Sequence, residues 1–357
     1  SIRCITYLTS GMDMGGEKMR TAAFGRLDGG DEFLTFLKQY GVDGVLFVGK
    51  SGNEALKRFP PESAEKPGSH WQLQDLIDLR KRCENIGLRF AAIENPVPPW
   101  NWDLIMLGKP GRDQQIENLA GTIRNMGRAE IPIMGYHWMV NQPGMTRAAL
   151  RTSFNVRLRG DSKAEDFDME VAKDEPLYRD RVYTEEEMWE YYEYFVKAIV
   201  PVLEESGVKM ALHPDDPVVE SLGGMPRLFR NQAGYDRAME IADSPNSGLN
   251  FCLGNWTAMG VDIPAAVRHF GSQGKIFYGH VQGVRGTVPR FEEVFVDEAD
   301  CDFLEVIKTM DEVGVDSFLI PAHFPKTMND TEDQHQGYGF AIGYLAGLYR
   351  AAKVKGN

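Results

Sequence analysis

Three short apolar runs in the second half of the chain each stop at a residue that can bind a metal ion. Lys209 to Leu212 (KMAL) stops at His213, Gly248 to Phe251 (GLNF) at Cys252, and Lys275 to Gly279 (KIFYG) at His280. Pro214 cannot donate into a sheet ladder, so the first run must end there, and Asp215 and Asp216 follow at once. Two imidazoles and a thiol are donors soft enough for zinc, cobalt or iron, and ligand type also admits manganese. Glu94 (AAIENP), His137 (IMGYHW) and His323 (FLIPAHF) end comparable runs. A single histidine at a strand end is more often a hydrogen-bonded structural residue, and a single buried cysteine is usually inert packing. Six such groups at one kind of position instead predict a shared site for metal-assisted acid–base chemistry.

Residues this far apart in sequence meet only if the fold gathers strand ends on one face, as a barrel of parallel strands does. The strand-like runs are Ile2 to Leu8, Gly44 to Val48, Arg89 to Ile93, Ile131 to Tyr136, Lys209 to Leu212, Gly248 to Phe251, Lys275 to Gly279 and Ser317 to Ile320. They alternate with segments of helical period. Asp31 to Tyr40 sets Phe33, Phe36, Leu37 and Tyr40 on one face, and Gln72 to Ile86 does the same with Leu73, Leu76, Ile77 and Cys83. Thr184 with Glu187 forms a capping box that opens a long helix through Met188, Trp189, Tyr192, Phe195, Val196 and Ile199. The expected fold is α/β, a single (β/α)8 TIM barrel over residues 1–357 with long loops at its C-terminal face. Residues 141–181 carry many charges and no clear apolar period. They are expected to form a loop or lid excursion, with a disordered insert as the alternative.

Gly44 to Ser51 (GVLFVGKS) satisfies the phosphate-loop pattern G-x-x-x-x-G-K-[ST]. In a working phosphate loop the variable residues follow a strand and wrap a phosphate, whereas here Val45 to Val48 are the strand itself. The match is read as accidental, with Gly44 and Gly49 at the two ends of a barrel strand.

The formal net charge of -13 argues against nucleic acid and anionic membranes as partners, and means that an anionic substrate needs locally placed cations. The 43% hydrophobic content suits a large core, and no run approaches the roughly 20 apolar residues that span a bilayer. The N-terminus lacks the basic-then-apolar build of a secretion signal. Cys4, Cys83, Cys252 and Cys301 show no paired short spacing, so a soluble protein with reduced thiols in the cytoplasm is expected.

HPDDP at His213, GMPR from Gly224 to Arg227, FCLGN at Phe251, GHV at Gly279, FEEVF at Phe291, DCDFLEVIKTM at Asp300, PAH at Pro321 and GYGFAIGYLAGL at Gly337 follow one another in that order. In these motifs and their order the chain resembles the mannonate dehydratase family, metal-dependent lyases of hexuronate breakdown on a xylose-isomerase-like barrel. A weaker similarity covers Glu94 and the stretch from Ile131 through SKAEDFD at Ser162. The resemblance implies a divalent metal, usually manganese in this family, held by His213, Cys252 and His280. It also implies that His323 and Tyr338 stand at the chemistry.

The chain would be a divergent member. The family's eighth strand ends R-P-D-H-G, its Asp a metal ligand and its Arg a substrate contact, and here Ile320-Pro321-Ala322-His323-Phe324 lacks both. The family's H-x-R reads His280-Val281-Gln282, and its Y-N reads Tyr136-His137, which makes His137 a candidate for the vacant ligand place. Ile and Gln cannot bind a carboxylate bidentately as guanidinium groups do, so a changed substrate is expected. Arg227 and Arg285 remain on nearby loops, and with Glu94, His137 and Gln282 they form the candidate substrate-binding set.

The expected reaction is β-elimination of water from an aldonic acid or related sugar derivative, which makes the protein a hydro-lyase, with Mn2+, or Zn2+, Co2+ or Fe2+, polarising the substrate's oxygens. A metal-dependent isomerase or epimerase, moving a proton between adjacent carbons, and a non-catalytic carbohydrate-binding paralogue stay open beside it. The expected partner is a small sugar acid, and the sequence leaves the oligomeric state, a homo-oligomer included, undecided.

Overall fold

The computed structural model describes residues 19–27, 30–49, 57–141 and 150–353. Eight parallel strands close into a barrel: Met19–Gly25, Gly44–Val48, Arg89–Glu94, Ile133–Tyr136, Lys209–Leu212, Ser247–Asn250, Ile276–Val281 and Ser317–Pro321. Each pairs with the next in chain order and the eighth pairs with the first. The helices that cross back between them are Asp31–Gln39, Leu73–Asn85, Arg112–Arg128, Glu185–Ser206, Gln232–Ala242, Ile263–Gly271 and Phe303–Glu312, and His335–Lys353 closes the ring after the eighth strand. This is the (β/α)8 barrel that the alternation predicts.

The strands read as unbroken apolar runs because both of their faces are buried. Leu46 points into the barrel with Ala22, Ile133 and Ala211, while its neighbours Val45 and Phe47 pack outward against the helices. In the eighth strand Phe318 and Ile320 point inward and Leu319 outward, the same period of two. The long helix begins with the expected reciprocal cap: Thr184 Oγ1 accepts from the Glu187 amide at 3.2 Å, and Glu187 Oε2 from the Thr184 amide at 2.8 Å.

The expected first strand is corrected. Met19–Gly25 opens the barrel, in register with Ser317–Leu319 on one side and Gly44–Phe47 on the other, and Ile2 to Leu8 lies outside the described residues. Tyr40 keeps its ring 4.7 Å from that of Phe36 but stands past the end of the helix. It caps the first helix half-exposed, and that helix buries Phe33, Leu34 and Leu37.

The excursion after the fourth strand is built as sheet. Ser153–Arg157 pairs antiparallel with Lys163–Asp168. The latter pairs with Arg290–Glu293 of a hairpin whose other arm is Val284–Thr287, directly after the seventh barrel strand. Phe167 and Phe291 pack between these arms with ring centroids 5.7 Å apart. Two long loops thus form one four-stranded cap.

Gly44–Val48 is a barrel strand, so its phosphate-loop spelling has no loop to act in. Gly49 turns the chain where a Cβ would lie 2.6 Å from the Pro96 carbonyl oxygen, and Lys50 and Ser51 lie outside the described residues. No helix among the described residues is long and apolar enough to cross a membrane.

Candidate active site

The C-terminal ends of the strands open into a cavity of about 910 Å3, towards the upper end of the range for small-molecule sites. Glu94, His137, His213, His280, His323 and Tyr338 line it from the barrel side. The cap supplies Phe154, Lys163, Glu165 and Glu293.

One donor atom each of His213, Cys252 and His280 lies within 4.8 Å of the others, and all three residues are buried. Ligands of one ion at about 2.0–2.3 Å stand roughly 3–4 Å apart, so little movement closes this group on a metal. His213 Nδ1 lies 2.7 Å from the Pro214 carbonyl oxygen. That oxygen only accepts, so Nδ1 carries the proton and Nε2 keeps its lone pair. Burial, reinforced by His137 and His280, holds His213 well below the usual histidine range, in the neutral form a metal needs. Burial also pushes the Cys252 thiol far up, and Sγ donates to Gln282 Oε1 at 3.4 Å. A thiolate forms in such surroundings only beside a cation. The donor set fits a divalent ion with three protein ligands and open positions, as catalytic sites have.

Glu94 joins this group to the barrel's inner core. Its Oε2 accepts from the Tyr278 hydroxyl at 2.8 Å and from Asn250 Nδ2 at 3.1 Å, and lies 3.2 Å from His280 Nε2. Its Oε1 lies 3.2 Å from His137 Nε2. Burial alone would raise this carboxyl, yet the imidazoles of His280 and His137 hold it well below the usual carboxylate range. Tyr278 reaches it only because the fourth strand carries Gly135, where a Cβ would sit 2.0 Å from the tyrosine oxygen. His137 faces Glu94 and stacks on His213 with centroids 4.2 Å apart, outside the three-residue donor group. Ile320 is fully buried beside Phe277 and Tyr278 in the inner core, and Ala322 presents only a methyl group to the cavity.

On the cap side, His323 holds a left-handed backbone, φ +54°, which few residues other than glycine adopt. Its Nδ1 lies 2.9 Å from Glu293 Oε1. Burial alone would lower His323, but the Glu293 carboxylate outweighs it and the imidazole stands above its ordinary value. Glu293 is brought down to about 2 because His323 and Arg151 overcome the effect of burial. Tyr338 packs on Phe324 and Phe33 with centroids 4.6 and 5.6 Å away. Burial, with Asp333 adding to it, pushes its hydroxyl well above the ordinary tyrosine value, so it stays protonated.

Glu165, Glu293 and His323 also bring donor atoms within 4.8 Å. The Arg151 guanidinium already stands there, 2.8 Å from Glu293 and 4.0 Å from Glu165, and supplies the positive charge.

Three expected substrate contacts lie off the cavity wall. Gln282 is buried with its amide shared between Cys252 and Glu293. Arg227 is buried with Nη1 3.8 Å from Asp215 Oδ1 and Nη2 3.4 Å from Asn141 Oδ1. Arg285 lies on the outer cap hairpin, half-exposed and 2.8 Å from Glu292. Arg151, Asp216, Glu293, Asn250 and Tyr278 complete the site and were not singled out from the sequence as site residues. Asp216 lay in HPDDP and Glu293 in FEEVF, whereas Arg151 lay in no motif.

The D-mannonate dehydratase family model matches residues 18–180 and 173–356. Mannonate dehydratase 2 of Halalkalibacterium halodurans is 32% identical over 316 residues, 80% of this chain and 88% of that protein. The mannonate dehydratase of Streptococcus suis is 32% identical over 314 residues, 80% of this chain and 84% of that one. The crystal structure of mannonate dehydratase from Streptococcus suis serotype 2 superposes with a TM-score of 0.80 at 27% identity, over 94% of both chains. An L-ribulose 3-epimerase, TM-score 0.58 and 16% identity over 94% of this chain and 96% of that one, shares the fold alone.

Proposed function

The chain belongs to the D-mannonate dehydratase family, hydro-lyases of sugar acids, and on that premise we propose which of its residues carry the elimination and what substrate they take. The observation that carries the reading is the close group of His213, Cys252 and His280, of which His213 and His280 line the same cavity as His323 and Tyr338. His213, Cys252 and His280 would hold a divalent ion, proposed to be manganese. Bound there, the ion would polarise the substrate's oxygens and offset the negative charge that develops on proton removal.

His323 Nε2 takes the proton from the carbon next to the substrate carboxylate, because Nδ1 is committed to Glu293. Tyr338, held protonated, gives its proton to the departing hydroxyl, so that water leaves. The enol left behind tautomerises to a 2-keto-3-deoxy acid. Among the lining residues, Lys163 and Lys326 carry fixed positive charge, and they are proposed to read the substrate carboxylate in place of the missing arginines. The substrate is therefore an aldonic acid whose carboxylate lies towards the cap.

Barrel and cap are proposed to act as one domain, since both wall the same cavity. A cytoplasmic location is proposed on the free, buried Cys83, Cys252 and Cys301. The test is to incubate manganese-loaded protein with aldonic acids, uronic acids and neutral sugars and to weigh the products. A 2-keto-3-deoxy acid from at least one aldonic acid is expected, and its absence from every member of the panel overturns the reading.

A further inference from the structure

Arg151 has no exposed side-chain surface. It bonds both oxygens of Asp216, at 2.7 and 3.0 Å, and Nε reaches Glu293 Oε1 at 2.8 Å. The same Glu293 oxygen lies 2.9 Å from His323 Nδ1 and 3.1 Å from Gln282 Nε2. Arg151 precedes the first cap strand, Glu293 ends the cap hairpin, Asp216 follows the fifth barrel strand and His323 follows the eighth. The cluster therefore crosses from cap to barrel.

A carboxylate only accepts hydrogen bonds, so the proton of a neutral His323 must sit on Nδ1, leaving a lone pair on Nε2. The charges point the same way. One guanidinium faces two buried carboxylates, which leaves one negative charge unbalanced while the imidazole is neutral and none once it takes up a proton. Glu165, partly exposed and 4.0 Å from Arg151 Nε, adds further negative charge.

We infer that Glu293, fixed by Arg151, is the positioning residue that makes His323 a base: it selects the tautomer with Nε2 free and stabilises the imidazolium that forms when the substrate's proton arrives. The inference rests on the reading of His323 as an acid–base residue. No other reagent enters, since the proton moves from substrate carbon to Nε2. A preorganised charge waiting for the product of proton transfer needs no rearrangement as the transfer occurs. The left-handed backbone of His323 fits this account, since an uncommon conformation persists only where its surroundings hold it in place. The raised pKa of His323, with Glu293 outweighing burial, agrees.

The experiment compares wild type with Glu293→Gln and Glu293→Asp, each loaded with diamagnetic zinc for nitrogen NMR of the His323 ring, assigned through His323→Asn. Manganese-loaded samples give the pH–rate profile. In wild type the proton of the neutral ring should sit on Nδ1. In E293Q the imidazole should titrate about one unit lower, and the acidic limb of kcat/KM should move with it. The plateau kcat should fall about 10- to 100-fold with KM little changed. E293D, which keeps the charge at shorter reach, should fall between the two, and it carries the test alone if E293Q does not fold. Wild-type titration and tautomer in whichever variant folds would overturn the inference. Full turnover by H323N would instead remove His323 from the chemistry, leaving the ring titration to decide the role of Glu293 separately.

Discussion

The Cys252 thiol donates to the side-chain carbonyl of Gln282 at 3.4 Å. Gln282, at the position where the family resemblance expects the arginine of H-x-R, therefore touches a proposed metal ligand and not the cavity.

Mannonate should for that reason be a poor substrate. Gln282 is turned away, Ile320 is sealed in the barrel's inner core and Ala322 offers no carboxylate. Each lost charge-assisted contact costs about 1.5–3 kcal/mol, so kcat/KM on mannonate should lie at least about 10²-fold below that of the Streptococcus suis mannonate dehydratase. Steady-state kinetics of both proteins on mannonate checks this, and equal values would show that the departures are tolerated.

One divalent ion should bind per chain through His213, Cys252 and His280. Cys252→Ser exchanges a potential thiolate for a neutral hydroxyl and should weaken binding at least about 100-fold, beyond the usual effect of losing a residue that merely supports a ligand. Elemental analysis after dialysis reads the loss. Unchanged metal content would remove Cys252 from the site.

His323→Asn and Tyr338→Phe should both keep fold and metal and lose about 10² to 10⁴ in kcat. Circular dichroism, metal content and single-turnover rates separate chemistry from folding. A near-wild-type rate in either variant would take that residue out of the mechanism.

Acid stability should report Glu293. Its carboxyl sits at about 2 in the folded chain against an ordinary 4.5. A carboxyl lowered by folding adds stability that is complete above the unfolded value and is lost as pH falls towards the folded one. Wild-type Tm should therefore drop between about pH 4.5 and 2, and E293Q should drop less over that window. Parallel slopes in thermal melts would contradict the ion pairing described here.

The barrel was legible wherever strands bury two apolar faces, as Gly44–Val48 and Ser317–Pro321 do. Met19–Gly25 escaped because Thr21, Ala22 and Ala23 make a weaker run than the IRCITYL nearer the N-terminus. The cap strand Ser153–Arg157 is mostly exposed, so it has no apolar period to read. The proposed metal ligands could be read one strand at a time, because each stands at the end of its own apolar run. Arg151 and Glu293 are 142 residues apart and meet only after two loops pair as sheet, a contact with no local trace in the sequence. Arg227 looked like a substrate contact because a cation on a loop reads alike whether it faces a cavity or a buried aspartate.

Running the reaction in deuterated water with the best aldonic acid tests the central claim most directly. Elimination followed by tautomerisation predicts a product lighter by one water, with one deuterium on the carbon that lost its hydroxyl. A product of substrate composition carrying deuterium at an epimerised or isomerised centre would contradict the assignment of this site to dehydration.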